Sequence, residues 1–292
     1  MVNTTWTGHQ PPEAPQDRLP KRSAAPKTGK TRGTALNYVA HTPEFRVALA
    51  ASEADIRAAQ ALRYRVFVNE LGSDGALVDH EAGLERDEFD AHCDHLMLID
   101  EAREGQVVGV YRLLRSAQAE AAGQFYSEDE YDLDRLKGSG RNLLELGRSC
   151  LDPDYRGGMA MHMLWQALAQ YIEDHDIDIL FGVASFHGTD LDKLAAPLSL
   201  LHHRHLAPEN LRTRAREAHF QRMDLIAEEE IDRRAAMVQV PALIKAYLRL
   251  GGFVGEGAFV DHAFNTVDVC LIIDADKMSA SRKTIYTRGL AR

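Results

Sequence analysis

Phe45, Val47 and Leu49 alternate with Arg46 and small residues, a period of two that predicts a strand over residues 45–50. Ser52 follows as a helix cap with Asp55 in the first turn. Ile56, Ala59, Phe67 and Leu71 then lie along a helical run that stops at Gly72, so the spacing predicts one helix from Ser52 to Leu71. Residues 73–92 break the pattern. Asp79, Glu81, Glu85, Asp87, Glu88 and Asp90 crowd among few apolar anchors, which predicts an irregular acidic loop pinned at Phe89. Apolar runs at 95–100 and 107–114, joined through Arg103-Glu104-Gly105, predict a hairpin.

Leu144 and Leu146 share one face of the apolar run 143–150, which reads as a strand. Asp152-Pro153-Asp154-Tyr155-Arg156-Gly157-Gly158 is turn chemistry. An apolar helical run follows to about His175, and 178–184 reads as a buried strand. Strand, glycine turn, helix and strand in that order predict a parallel pairing, with free backbone N–H groups at the helix start suited to an anion. Residues 185–220 are less regular, with a short helix before His202-His203-Arg204-His205. Residues 228–250 predict two helices, the second begun by Pro241. The glycines of 251–257 predict a hairpin or bulge, with no Lys-Ser/Thr after them to make a phosphate loop, and 266–273 predicts the closing strand. Mixed strands and helices of this kind define an α/β (α+β) chain.

Composition refines this. A chain of 292 residues, 45% apolar, can bury a sizeable core in one large domain or two small ones. The net charge of −10 is uneven: six basic and two acidic groups leave residues 1–40 at +4 and the rest at −14. An acidic body argues against general nucleic-acid binding. Residues 1–43, rich in Pro, Thr and basic groups, are expected to be a disordered arm, 44–275 the folded domain, and 276–292 a polar tail. Three scattered cysteines, Cys93, Cys150 and Cys270, fit a reducing compartment, and no apolar run reaches 18 residues. The expectation is a cytoplasmic protein, touching a bilayer at most peripherally through its basic arm or the amphipathic run 242–250.

The chemistry lies in charges placed among apolar residues. Arg63 falls four residues from both Ala59 and Phe67, Arg112 shares a strand face with Val108 and Val110, and Glu145 and Arg148 interrupt an apolar strand. Each alone is compatible with a snorkelling side chain or a structural ion pair. With Asp87 and Asp90 they make three cations and three carboxylates, and buried charges persist mainly in neutralising networks. Neither His92-Cys93-Asp94-His95 nor the histidines at 202–205 has a zinc-site spacing, so no metal is expected. The 202–205 group reads instead as a pocket wall or an anion-facing group.

Arg63-Tyr64-Arg65-Val66-Phe67, Asp87-Glu88-Phe89-Asp90, Tyr111-Arg112-Leu113-Leu114 and Glu145-Leu146-Gly147-Arg148 resemble, in order, the signature blocks of acyl-homoserine lactone synthases, which are GNAT-like enzymes. Residues 184–190, 203–208, 251–262 and 264–270 extend the resemblance to the L-ornithine Nα-acyltransferases, over about residues 44–275. That resemblance implies a GNAT-like fold whose mixed, mostly antiparallel sheet splays near the site. It implies transfer of a 3-hydroxyacyl group from acyl carrier protein to the α-amine of L-ornithine, giving lyso-ornithine lipid, with no cofactor beyond the carrier's phosphopantetheine. Glu145 is then the candidate base, and Arg148 holds Glu145 or the substrate carboxylate. Asp87 and Asp90 bind the amino groups, Arg63 and Arg112 position those acids, and Phe67 lines the substrate site. Backbone N–H groups near Cys150 and Leu151 are expected to meet the oxyanion, with Cys150 itself a buried wall residue. The turn Arg156-Gly157-Gly158-Met159-Ala160 carries its glycines earlier than the GNAT pyrophosphate loop, which points from coenzyme A toward carrier-bound pantetheine. Arg156, Lys193 and Arg204 are candidates for docking the acidic carrier. A lactone synthase using S-adenosylmethionine and a coenzyme A-dependent GNAT enzyme are the enzymatic alternatives. A membrane-active lipid-binding protein is the non-enzymatic one.

Overall fold

The computed structural model describes residues 42–277 except Ala76 and Ala263. The basic arm up to residue 41 and the polar tail from residue 278 lie outside the described residues.

The chain enters through β1 (Phe45–Leu49) and α1 (Glu53–Arg63). Ser52 caps α1 with a reciprocal box: its hydroxyl accepts from the Asp55 N–H, and the Asp55 carboxylate accepts from the Ser52 N–H. The helix does reach the predicted stop at Gly72, but from Tyr64 to Glu70 it widens into a π-helix. The acidic loop is more ordered than its composition suggests. It holds β2 (Val78–Asp79), β3 (Leu84–Glu85) and a 3-10 turn over Glu88–Ala91, with Phe89 buried as its anchor. The predicted hairpin is β4 (Asp94–Asp100) and β5 (Gln106–Arg115), turned at Glu104 and Gly105 with φ of 55° and 75°.

Then come α2 (Ser116–Ala122), β6 (Tyr131–Asp132), α3 (Asp134–Lys137), β7 (Leu143–Leu151), α4 (Met159–Asp174) and β8 (Ile179–His187). The helix expected to be short is the 15-residue α5 (Leu191–His205), which tolerates Pro197 inside it. After β9 (Arg214–Ala215) and β10 (Phe220–Gln221), the two predicted helices are α6 (Arg233–Gln239) and α7 (Ala242–Arg249), parted at Pro241. The strands β11 (Phe253–Val254), β12 (Ala258–Asp261) and β13 (Thr266–Asp274) complete the fold.

A nine-stranded sheet runs β1-β4-β5-β7-β8-β13-β12-β10, with β11 pairing β13 off this path. Its pairings are antiparallel except β7 with β8. One face carries Leu144, Leu146, Leu180 and Leu271 against α4 and α7. The other face carries Leu143, Phe181, Cys270 and Ile272 against Phe125, Tyr131 and Leu136. Leu164 of α4, fully buried, contributes about 1.5–3 kcal/mol to the first layer.

The parallel pair sets up the site. β7 and β8 are hydrogen-bonded only from Leu143–Glu145 to Ile179–Phe181. Past that point β7 stays with β5 and β8 stays with β13, so the sheet forks. Gly182 stands at the fork, where a Cβ would lie 2.2 Å from the Leu146 carbonyl oxygen. On its other side β7 bulges: its register with β5 shifts between Cys150 and Gly147, and Arg148 takes a left-handed φ of 49°. A non-glycine residue in that region is strained, and the strain aims its side chain away from the regular pleat.

Candidate active site

Arg63, at the end of the α-helical part of α1, is 1% exposed. Its Nε pairs with the Glu85 carboxylate, Nη1 donates to Asp90 Oδ1 at 2.7 Å, and Nη2 donates to the Glu85 carbonyl at 2.7 Å and Asp90 Oδ2 at 2.9 Å. Gln60, one turn back, donates to Asp90 Oδ2 at 2.9 Å. Burial pushes the Asp90 carboxyl up, but the Arg63 and Arg112 guanidinia hold it well below the usual carboxylate range. Arg112 bridges Asp87 and Asp90 and lies over the rings of Phe89 and Tyr126. Arg148 sets Nε 3.0 Å from Glu85 and donates through Nη2 to Asp87 at 3.3 Å and to the Tyr126 hydroxyl at 3.1 Å. Three guanidinia thus neutralise Glu85, Asp87 and Asp90, which is how buried charges are tolerated here.

Glu145, 3% exposed, is bound by a different segment. It accepts from the N–H groups of Tyr126 at 2.8 Å and Ser127 at 2.7 Å and from the Ser127 hydroxyl. Burial raises its carboxyl above the ordinary value, outweighing these bonds and the nearby Arg112. Oε2 receives one of the three bonds, so it keeps a lone pair for a further donor.

The fork opens into a cavity of about 560 Å³. Leu146, Leu180, Leu243, Tyr247, Leu271 and Ile273 line an apolar lobe on the α4/α7 face of the sheet. Tyr126, Glu130, Glu145, Arg148, Ser185 and Asp268 line a polar lobe toward the opposite face. The gap between β7 and β8 joins the two.

Of the predicted site residues, Phe67, Glu145 and Arg148 line this cavity. Arg63, Asp87, Asp90 and Arg112 are brought together as predicted, but behind the wall. Asp87 and Asp90 do not reach the cavity to hold a substrate amine, because arginine donors and the 3-10 turn they cap use their oxygens. Arg148 does not hold Glu145; it holds Glu85 and Asp87, leaving Nη1 out of these contacts. The strand edge facing the cavity is Leu146 to Ser149, not Cys150 and Leu151, which the bulge turns into the two cores. Burial pushes the Cys150 thiol up to about 12, in keeping with a wall residue.

Arg156, Gly157 and Gly158 lie outside the cavity lining, and Arg156 grips Glu70, which is on it, at 2.6 and 2.7 Å. Lys193 and Arg204 are exposed on α5, paired with Asp190 and Glu228. The histidines of α5 do not line this cavity, and His203 donates to the Ile226 carbonyl at 3.0 Å. Sequence reasoning missed Glu85 as a site residue, along with Tyr126, Ser127, Glu130 and Asp268. Asp268 had carried the same signal as Glu145, an acid inside an apolar strand.

A forked sheet with a bulged strand beside the gap, an apolar lobe and an acid-lined lobe define an N-acyltransferase of the GNAT class. An acetyltransferase (GNAT) domain model matches residues 62–166, from the end of α1 into α4. The chain is 60% identical over 248 residues to the L-ornithine N(alpha)-acyltransferase of Rhodobacter capsulatus, covering 84% of this chain and 95% of that one. It is 44% identical to the enzyme of the same name from Brucella abortus, covering 83% and 88%. The acyl-homoserine lactone synthase LasI superposes with a TM-score of 0.45 at 16% identity, over 85% of this chain and 97% of that one. The chain belongs to the L-ornithine N(alpha)-acyltransferase family.

Proposed function

We propose that the protein transfers a 3-hydroxyacyl group from the phosphopantetheine thioester of acyl carrier protein to the α-amine of L-ornithine, giving lyso-ornithine lipid. The observation that carries this reading is the cavity through the sheet: an apolar lobe suits the acyl chain, a charged lobe suits the amino acid, and the β7/β8 gap lies between them. The names of the relatives support ornithine as acceptor. The α-amine must lose its proton before it attacks, since an ammonium has no lone pair. Glu145 takes that proton, directly or through water, at the remaining lone pair of Oε2. The new N–C bond forms as the C–S bond breaks, and the thiol leaves with a proton. Arg148 Nη1 is available for the amino acid's carboxylate. The bulged edge from Leu146 to Ser149 offers backbone N–H groups to the oxyanion. Arg156, Lys193 and Arg204 are the basic groups offered to the acidic carrier.

The test is product mass after incubation with the acyl-carrier thioester and ornithine, with thiol release followed in parallel. Ornithine-dependent thiol release and an acyl-ornithine product are expected. Substituting S-adenosylmethionine for ornithine, or acyl-coenzyme A for the carrier thioester, tests the two enzymatic alternatives. Vesicle binding with no amine-dependent thiol release would favour a membrane-active protein instead.

A further inference from the structure

Glu130 and Asp268 bring two acids into the polar lobe, and neither forms an ion pair among the described residues. Glu130 follows the 3-10 turn Tyr126–Asp129 and is 8% exposed; Asp268 stands in β13 and is 5% exposed. Both line the cavity. Thr266 Oγ1 donates to Asp268 Oδ2 at 3.1 Å, yet Asp268 Oδ1 and Glu130 Oε2 have no hydrogen-bond partner among the described residues. The neighbouring Tyr131 hydroxyl ties the two segments together, donating to the Asp268 carbonyl at 2.8 Å and the Gly257 carbonyl at 3.1 Å. Asp261 of β12 lines the same lobe. The three arginines of the network are already matched by Glu85, Asp87 and Asp90, so Glu130 and Asp268 add two further acids to the lobe. Burial, then the charges of Asp268 and Asp261, raise the Glu130 carboxyl well above its ordinary value. Burial and Asp261 raise Asp268 to about 6, against the Ser185 and Thr266 hydroxyls.

We infer that Glu130 and Asp268 form the subsite for the side-chain ammonium of the acceptor amino acid, and so select ornithine over amino acids that lack a second amine. The inference rests on the acyl-transfer reading above. An ammonium brings three donors to two buried oxygens that have none, and its charge offsets the carboxylates. The reacting α-amine is the wrong occupant, because a carboxylate pair would hold it protonated and unreactive.

The test compares kcat/KM for ornithine and for 2-aminopentanoate, the same skeleton without the second amine, using one acyl-carrier thioester. The wild-type protein is expected to prefer ornithine at least tenfold. Glu130→Gln, Asp268→Asn and the double variant, each checked by thermal melting, are expected to cut that preference at least tenfold through KM for ornithine. If both substrates fall by the same factor, the pair serves the reacting amine or the fold and the inference is overturned. Should the variants fail to fold, equal use of the two substrates by the wild-type protein overturns it alone. A wild-type protein that acylates neither amino acid overturns the proposed function itself, which is a separate result.

Discussion

At the scale of single residues, environment decides the role. Glu145 and Asp90 are both buried carboxylates, but Asp90 is gripped by guanidinia while Glu145 meets only neutral donors. Their carboxyls are therefore shifted in opposite directions. Glu145→Gln is expected to lower kcat by about 10²–10⁴. It also puts an amide N–H₂ where an acceptor is needed, at roughly 1–3 kcal/mol of stability, so a thermal melt must accompany the assay. A near wild-type rate across pH would remove Glu145 as the base. Cys150→Ala is expected to keep most activity, since its thiol is held at about 12 and buried among Ala59, Leu62 and Val110. Loss of turnover in a folded Cys150→Ala protein would revive a covalent route.

Asp268 carries a pH signature. A carboxyl raised in the folded state stabilises the fold most below its unfolded pKa, and that contribution disappears as pH rises through about 6. Glu130 and Glu145 act in the same direction. Burial lowers His95, His202 and His205, which act in the opposite direction, so the signature is read as a difference: without substrate, the wild-type thermal midpoint is expected to lose ground to that of Asp268→Asn between about pH 4 and pH 7. A difference between the two proteins that does not change across this range would contradict the burial of Asp268.

At the scale of elements, the fork depends on close approach. Gly182→Ala would force a Cβ to within 2.2 Å of the Leu146 oxygen, against backbone that cannot swing aside. It is expected to part β7 from β8 and cost more than about 1 kcal/mol, read as a drop in thermal midpoint together with activity. Unchanged stability would mean that the strands approach less closely than described. The bulge at Arg148 is the other local device. A regular strand would send Arg148 to the face opposite Gly147 and Ser149; the left-handed turn brings it to Glu85 and Asp87.

At the scale of the whole molecule, the proposed function asks an acidic body to meet an acidic carrier. The basic groups offered to it, Arg156, Lys193 and Arg204, already pair with Glu70, Asp190 and Glu228. Exposed pairs of this kind are worth little, about 0–1 kcal/mol, and can exchange partners cheaply. The double change Lys193→Glu and Arg204→Glu is expected to raise KM for the carrier thioester severalfold, increasingly at low salt, while KM for ornithine stays put. Equal effects on both substrates, or on neither, would remove α5 as the docking face. No helix among the described residues is long and apolar enough to cross a membrane.

Much of this was legible in the one-dimensional pattern. Period-two patterns located β1 and β7, and continuous apolar runs located β4, β5, β8 and β13. Ser52 and Pro241 marked helix starts, and charges inside apolar runs named Arg63, Arg112, Glu145 and Arg148. Local sequence determines these because alternation, capping and burial act over a few residues. Which acid each arginine holds was decided by folding alone: Glu85 reaches Arg63 and Arg148 across 22 and 63 positions, and nothing local records that pairing. The segment 116–137 received no assignment from the sequence, yet it delivers Tyr126 and Glu130 to the cavity and Ser127 to Glu145, because its course follows the surface it packs on. Glu145 was visible as an acid in an apolar strand. That it is bound by neutral donors at a fork, with an acidic pair across the lobe, came only from the strands that part around it.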